Sequence, residues 1–552
     1  MSDTSLQVPD FASGRRNMTA LAEGPFTFLN DVPMTTSLSV PWERLSRGPT
    51  GGRFSTHVRG EETPRNRPMV MDTAFEAIAY NDVRCPANTD DLIEDRAFLA
   101  QHAYAVAAST LDLFESTMGR RLGWRFRGHR LALELWAPID FEASGYDGQR
   151  GVINFGHEKD RRADKHVPIA LYRDVVTHEV THAILDGYRP HMADPDATVD
   201  EHALHEGIAD LVAMLSVFSS SDRVLDQLQS RASTSDAPDD SDEDLAASGL
   251  FDIADGLFSR KALRRSVTDE IPEDWRSIKE PHVRGSVVVK ALMSTVLDLW
   301  KTRLNLPGGR ASEYQKAQSG AKVGRQMLGM LIRGLGYMPP IDLTFRDLLH
   351  GILAADQVVV PDDALDYRGS LREAFKPFGI LADPDHELDG LTGLRDLRYP
   401  VRLSALASDP EEVYRFLWEN PAILRAAAID PDVPILVERV RPSLRVGPDG
   451  FVVSEIGANF TQMVPMTQRE ALNRLGLRTQ GDIILRGGGL IRFNEGGRLA
   501  YATFKPVLDA ERQQRRWSRR SRDEMGDLSA QEDPTARSSV FAEMHRAAGA
   551  ED

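Results

Sequence analysis

The chain has 552 residues, of which 41% are hydrophobic and 27% charged, proportions typical of a soluble globular protein. Its formal net charge of −17, from 83 acidic and 66 basic side chains, disfavours a general nucleic-acid binder, because phosphate contacts require clustered lysine and arginine. The single cysteine, Cys85, excludes an intramolecular disulfide and the thiolate-rich zinc and iron–sulfur sites.

Four regions are predicted along the chain. Residues 1–94 are rich in glycine, proline, serine and threonine, which predicts an irregular N-terminal arm, extended or made of short strands, with an inhibitory role as one interpretation. Residues 95–382 contain a long helical pattern, two short strand patterns and then several helices. Residues 383–511 combine a helical pair with two hairpins and predict an added α+β region of unknown role. Residues 512–552 predict a charged tail, either a solvated helix end or disordered.

No stretch approaches the roughly twenty apolar residues that a membrane span requires. Residues 1–24 are polar and lack the apolar core of a secretory signal. We therefore expect a cytoplasmic protein that does not contact a membrane.

The sequence His178-Glu179-Val180-Thr181-His182 lies in a helical pattern. Two histidines four residues apart project from one face of a helix, about one turn apart, so both imidazoles can bind one zinc ion. Glu179, beside the first histidine, can reach a water molecule activated by that ion. The alternative is an exposed helix face that carries two unpaired histidines, because so short a pattern also occurs in unrelated helices.

A catalytic zinc ion keeps three protein ligands and one open position, so a third ligand must come from elsewhere in the chain. One class of zinc enzyme uses a third histidine six residues after the second, but Tyr188 occupies that position here. Another class uses a glutamate from a following helix, and Glu206 opens such a helical pattern. Asp210 follows four residues later on the same face and can accept the remaining ring N–H of a ligand histidine.

Together these motifs resemble the thermolysin-type zinc peptidases of the gluzincin group, over roughly residues 95–381. The resemblance implies an α+β fold of two lobes, a β-rich N-terminal lobe and a helical C-terminal lobe. Residues 146–156 resemble the family's substrate-side edge strand. Residues 282–290 resemble the segment that carries its second catalytic histidine, which would be His282.

A further segment, residues 265–269, resembles the one whose arginine contacts the substrate carbonyl region. This implies a substrate-binding role for Arg265, with the adjacent Arg264 as an alternative. The chain also departs from the family. Ala143 stands where a substrate-binding asparagine is usual, and Val217 stands where a calcium-binding glutamate is usual, so structural calcium is not expected.

The resemblance implies a zinc-dependent metalloendopeptidase that hydrolyses protein or peptide substrates. Glu179 would be the general base toward a metal-activated water, with His282 and Arg265 stabilising the oxyanion. Zn²⁺ would be held by three ligands, His178, His182 and Glu206.

Two rival functions are considered. An aminopeptidase of the same group requires a Gly-x-Met-Glu-Asn motif, which is missing here. A catalytically silent binding or regulatory protein would have no need to retain Glu179 beside three metal ligands.

Overall fold

The computed structural model contains both helices and strands, which confirms the predicted α+β class. It describes residues 14–46, 48–59, 82–135, 144–160, 165–194, 197–234, 270–305, 311–382, 409–446, 450 and 452–522. The described strands are β1 (Arg15–Leu21), β2 (Phe28–Leu29), β3 (Val32–Pro33), β4 (Thr35–Pro41), β5 (Phe54–Val58), β6 (Leu131–Leu135), β7 (Ser144–Asp147), β8 (Val152–Phe155), β9 (His157–Asp160), β10 (Lys165–Pro168), β11 (Leu436–Val446), β12 (Val452–Met466), β13 (Ile483–Asn494) and β14 (Leu499–Lys505). The described α-helices are α1 (Thr89–Glu94), α2 (Arg96–Met118), α3 (Arg173–Tyr188), α4 (Val199–Phe218), α5 (Ser221–Thr234), α6 (Pro281–Asn305), α7 (Glu313–Gly334), α8 (Phe345–Val359), α9 (Tyr367–Phe375), α10 (Pro410–Glu419), α11 (Pro421–Ala426), α12 (Gln468–Leu475) and α13 (Ala510–Arg522).

A four-stranded sheet supports the first half of the fold, with the strand order β5-β6-β8-β7. β5, β6 and β8 run parallel, and β7 forms the edge as the antiparallel partner of β8. Every residue of β6 is buried, as expected of a strand that is covered on both faces. The segment expected to be a substrate-side edge strand thus forms β7 at the edge and β8 beside it.

The long helix predicted from residue 95 onward is confirmed as α2, which packs against this sheet. Asp95 caps it, because its carboxylate accepts hydrogen bonds from the backbone N–H groups of Ala97 and Phe98. Such a cap satisfies donors that have no partner inside the helix.

The described N-terminal residues form short strands, which is one of the two forms predicted for the N-terminal arm. β1 and β4 form an antiparallel ribbon on α2, and β5 joins the main sheet beside β6. Met18, Ala20 and Leu21 are buried in the main hydrophobic core. These strands therefore share a sheet and a core with the region that follows residue 94.

Helices α4 and α6 approach each other unusually closely. A Cβ atom added at Gly285 of α6 would lie 2.6 Å from the carbonyl oxygen of Ala203 in α4. One added at Gly207 of α4 would lie 2.9 Å from the carbonyl oxygen of Gly285. Only glycine allows backbones to come this near, so the pair of glycines fixes where the first turn of α6 meets α4.

The long helices are interrupted by polar side chains. α6 has 25 residues, but Lys290 and Asp298 lie within it. Crossing a bilayer takes about 20 predominantly apolar residues. None of the helices in the described ranges has that length and apolar character together.

The added C-terminal region is built on a four-stranded antiparallel sheet with the order β11-β12-β13-β14. The predicted helical pair and the two predicted hairpins are confirmed as α10 with α11, β11 with β12, and β13 with β14. A separate apolar cluster, which includes Phe416, Phe460 and Phe493, lies between this sheet and α10. The region therefore has its own core.

The charged segment after residue 511 begins as a helix, as the predicted helix end allows. α13 spans Ala510–Arg522, and its residues Arg512 and Arg516 both pair with Asp342. Gln513, between them, is buried. The sequence does not reveal this pairing, since the acid that holds the two arginines lies some 170 positions earlier. Residues 523–552 lie outside the described residues, and their predicted disorder stays a prediction.

His191 connects the C-terminal sheet to the region that follows α3. Its two ring nitrogens lie 2.8 Å from Asp194 and 3.0 Å from Glu438 of β11. Burial opposes a charge on this imidazole, but hydrogen bonds with Asp194 and Glu438 raise its pKa from 6.5 to about 9. His191 is therefore positively charged at neutral pH.

The contact of His191 with Asp194 and Glu438 should weaken as the pH rises. When folding raises the pKa of a group, protonation of that group stabilises the native state. The full stabilisation is present at a pH below the pKa in the unfolded chain, and it is lost as the pH rises through the pKa in the folded protein. We expect the unfolding temperature of the wild type to exceed that of His191→Gln at pH 6 and the difference to shrink between pH 6.5 and about 9. The exposed His129 provides a matched control, His129→Gln. A difference between wild type and His191→Gln that stayed constant from pH 6 to 9.5 would contradict the assignment.

The close contact between α4 and α6 can be tested by adding one methyl group at Gly285. We expect Gly285→Ala to lower the free energy of unfolding by about 1–3 kcal/mol, because the new Cβ meets a backbone oxygen that cannot move aside. Gly481→Ala is the control, since a Cβ at that position meets no atom within 4 Å. Urea denaturation of both variants measures the effect, and equal stability of the two would show that α4 and α6 can separate without cost.

Candidate metal centre

α3 carries the two histidines through the interior of the protein. Every residue of α3 from Asp174 to Tyr188 is buried. The alternative of two histidines on an exposed helix face therefore does not apply. The Nε2 atoms of His178 and His182 lie 2.9 Å apart.

Glu206 reaches the two histidines from α4. This helix begins with a capping box, in which Thr198 and Glu201 satisfy each other's backbone N–H groups. Two turns later, Oε2 of Glu206 lies 3.5 Å from Nε2 of His178 and 3.3 Å from Nε2 of His182. The Glu206 side chain is completely buried.

These three side chains form a group whose geometry suits a metal ion. Their converging atoms are separated by 2.9, 3.3 and 3.5 Å. A tetrahedral ion with bonds of about 2.0–2.1 Å holds its ligand atoms about 3.3 Å apart. Two imidazoles and one carboxylate suit zinc and also other divalent first-row metals, so this group could hold a metal ion and does not specify which one.

Asp210 lies behind the first histidine. Its Oδ1 is 2.9 Å from Nδ1 of His178, on the side of the ring opposite to the nitrogen that faces Glu206. A carboxylate in this position accepts the Nδ1–H, fixes the tautomer and orients the ring so that Nε2 presents its lone pair to a metal. The structure thus brings Asp210 to the first of the two histidines, a choice that the sequence left open.

His205 contacts the second histidine, His182, much as Asp210 contacts His178. No role was predicted for His205. Its Nδ1 lies 2.8 Å from Nδ1 of His182, and the two rings are nearly parallel, at 8° with centroids 4.7 Å apart. With Nε2 of His182 facing Glu206, we assign the proton to Nδ1 of His182, which donates it to His205. The only sequence signal was the position of His205 directly before Glu206.

Protonation is divided unequally among the three histidines. Burial opposes a charge on His178, but hydrogen bonds with Asp210 and Glu206 raise its pKa to about 9. Burial lowers the pKa of His182 and lowers that of His205 well below its usual value. Without a metal, the cluster therefore keeps its proton on His178, and metal binding must displace a proton from Nε2 of that ring.

Glu179 is buried on α3 beside the first histidine. Its carboxylate is near enough to His178 and His182 to oppose the effect of burial on the pKa of both imidazoles. Its position within the motif is the one predicted for a general base.

His282 lies in the first turn of α6 and comes next to Glu206. Its Nδ1 is 3.4 Å from Oε2 of Glu206. The side chain keeps 27% of its surface exposed while Glu206 has none, so His282 lies on the side of the cluster that solvent can reach. The carboxylate of Glu280 accepts the backbone N–H of His282 at 3.1 Å and fixes the start of the helix.

A buried ion pair ties the two helices together near this point. Arg284 donates to Asp200 at 2.8 Å and to the backbone carbonyls of Arg276 and Ile278 at 2.6 and 2.9 Å. With the glycine contact between α4 and α6, this pair holds His282 against the cluster. No local sequence signal marks this pair, because Asp200 and Arg284 are 84 positions apart.

Two residues of the predicted substrate site cannot be placed. Arg265, with the alternative Arg264, lies outside the described residues, and so does Ala143. Their predicted roles stay predictions. Val217 is described and is buried in α4.

The comparisons with known proteins identify no relative. No family model matches the chain, and no curated protein matches it. What the site can do therefore has to be argued from its own chemistry.

The role of Asp210 can be measured by metal affinity. We expect Asp210→Asn to weaken the binding of Zn²⁺ by about 10- to 100-fold, because an amide polarises the Nδ1–H of His178 less than a carboxylate does. His182→Ala should abolish stoichiometric binding. Competition with a chromogenic chelator measures the affinity, and metal analysis after dialysis measures the stoichiometry. Asp298→Asn, at an exposed position on α6, is the control. Wild-type affinity in Asp210→Asn would exclude the proposed contact.

Proposed function

We propose that the chain is a zinc-dependent metalloendopeptidase of the thermolysin-like type. The observation that carries the proposal is the buried group of His178, His182 and Glu206, with a second carboxylate, Glu179, next to the first histidine. A metal site that serves only stability has no need of this additional buried acid, whose burial is costly.

The surroundings of α3 support the two-lobed arrangement that the resemblance implies. On one side, α3 contacts the edge strand β7, where the hydroxyl of Tyr146 donates to Asp186 of α3 at 3.0 Å. On the other side, it packs against α4, which belongs to the helical half of the molecule. These contacts, with a strand on one side and a helix on the other, support a metal site between two lobes.

A bound Zn²⁺ would supply Lewis acidity, which makes water more acidic and polarises a peptide carbonyl. His178, His182 and Glu206 would hold it. Asp210 and His205 keep the Nε2 lone pairs of the two histidines directed at one point, so little reorganisation is needed on binding. The exposed edge of His282 leaves a path for a substrate on that side.

Glu179 would act as the general base. It takes a proton from the attacking water and delivers the proton to the nitrogen of the leaving amine, which otherwise would depart as a strongly basic anion. Burial within α3 keeps this carboxylate in a fixed position.

His282 would stabilise the charge that develops on the carbonyl oxygen. An N–H donor that is fixed before the reaction costs no reorganisation in the transition state. The Glu280 cap and the Arg284–Asp200 pair both hold the turn that carries His282. The substrate class that follows is a protein or peptide chain.

The proposal is tested with a library of fluorescence-quenched peptides. The wild type with its full zinc content should cleave peptides within the chain, and a chelator should abolish cleavage. We expect Glu179→Gln to lower kcat by about 100- to 10,000-fold while zinc content stays unchanged. His282→Gln should lower kcat by about 100-fold or more with a smaller effect on KM.

Glu373→Gln is a matched control, because this glutamate is exposed on α9. It should leave cleavage unchanged. A zinc-loaded wild type that cleaves no peptide would sink the proposal and favour the silent, metal-binding protein instead. Equal rates in the wild type and Glu179→Gln would exclude the assigned base.

A further inference from the structure

A second buried site lies where the C-terminal sheet meets the helical half of the molecule. It is a small cavity, whose volume is about 20 Å³. Besides Tyr188 and Tyr337, six arginines line what is here named the arginine cavity: Arg120, Arg189, Arg333, Arg441, Arg445 and Arg492. Three of them, Arg120, Arg189 and Arg333, precede the C-terminal sheet in the chain. The other three belong to strands β11 and β13 of that sheet.

The positive charge of the arginine cavity is poorly compensated by the described residues. Its lining includes no carboxylate. Glu455 pairs with two of the arginines, Arg445 and Arg492. No carboxylate of the described residues forms an ion pair with the four others, although Glu438 is close enough to act on Arg189 and Arg441, and Asp356 on Arg333. Arg189, for example, donates to the backbone carbonyls of Met338 and Pro339, both at 3.0 Å, which are neutral partners.

Several donors of these guanidinium groups also lack acceptors. The Nε atoms of four of the arginines are buried without a hydrogen-bond partner among the described residues: Arg189, Arg333, Arg445 and Arg492. Burying a donor without a partner is costly, and more so for a charged group. Four such donors around one cavity indicate that an acceptor belongs there.

Two aromatic rings hold the guanidinium groups in place. Those of Arg441, Arg120 and Arg189 lie 4.4, 4.8 and 5.2 Å from the ring centroid of Tyr188. That of Arg492 lies 4.1 Å from the ring of Tyr337. Contacts of this kind stabilise a cation.

The arginines of the cavity shift the pKa values of the groups around it. Burial alone would raise the pKa of Tyr188, but Arg120, Arg189, Arg441 and Arg492 lower it to about 7. Burial and the neighbouring guanidinium groups lower the pKa of Arg120 to about 10. The surroundings therefore favour a negative charge strongly.

We propose that the arginine cavity binds one phosphate-sized oxyanion, either inorganic phosphate or the phosphoryl group of a small molecule. Guanidinium groups match the oxygens of phosphate with paired hydrogen bonds. A volume of about 20 Å³ holds one or two water molecules, so the guanidinium groups have to move apart to admit a phosphate group. By bridging arginines of both halves, the anion fastens the C-terminal sheet to the helical half.

The oxyanion site is distinct from the metal centre. Tyr188 ends α3 and lies six residues after His182, which is about 9 Å along the helix axis. None of the six arginines is among the residues that surround the histidine cluster. Phosphate bound at the metal would therefore survive substitution of these arginines.

The test is a titration of the full-length protein with inorganic phosphate, with the ionic strength held constant by KCl. We expect saturable heat in calorimetry and a saturable rise in unfolding temperature. Arg120→Gln and Arg441→Gln should each weaken phosphate binding about tenfold or more, because each removes a charged donor. Without phosphate, both variants should unfold at the wild-type temperature or above it, since each relieves repulsion between like charges.

Arg415→Gln is the matched control, because this arginine is exposed on α10 and remote from the arginine cavity. It should bind phosphate like the wild type. A parallel titration with glycerol phosphate identifies the source of the anion. Binding of both compounds indicates a phosphoryl group carried on a small molecule, and binding of inorganic phosphate alone indicates the free ion. The proposal is overturned if the wild type responds to phosphate no more than to chloride, or if the two variants bind phosphate as tightly as Arg415→Gln.

Discussion

The burial of Glu206 is the constraint on which the rest of the site depends. A carboxylate without solvent exposure is costly unless charges and hydrogen bonds compensate it. In this protein, the compensation comes from imidazoles on two other helices, His178 and His182 of α3 and His282 of α6. The positions of α3, α4 and α6 relative to one another are therefore linked through one oxygen atom.

The packing of the backbone makes this arrangement possible. α4 and α6 can bring Glu206 and His282 together only because Gly207 and Gly285 remove the side chains that would separate them. The Arg284–Asp200 pair fixes the same crossing by charge. A metal ion added to the cluster would bind to a site that the helices already hold in shape, which is the condition for high affinity and for an ordered reaction.

Helix α3 connects the candidate metal centre, which would bind a cation, with the arginine cavity, which would bind an anion. Its middle presents histidines toward a carboxylate, and its last residue, Tyr188, lies among arginines from the C-terminal sheet. The contact between the sheet and the helical half is thus made largely by charged groups, although the sheet has its own apolar core. An interface of this kind depends on ionic conditions more than an apolar one does, because charges respond to pH and to bound ions. If an oxyanion occupies the arginine cavity, the C-terminal region is held in place by a ligand as well as by side chains.

The sequence by itself determined the local features. The spacing of His178 and His182 placed two imidazoles on one side of a helix, and the spacing of Glu206 and Asp210 did the same for two carboxylates, because helix periodicity is a property of the backbone. The long helix α2, the C-terminal helical pair and the two hairpins also follow from local patterns of apolar and turn residues.

Only the tertiary structure decided which elements meet. Several contacts join residues that are far apart in the chain. They are the pairing of β5 with β6, the ion pairs between α13 and Asp342, the hydrogen bond between His182 and His205, and the six arginines around one cavity. No local pattern encodes such contacts, because their free energy arises from burial and from charges that come together only when the chain is folded.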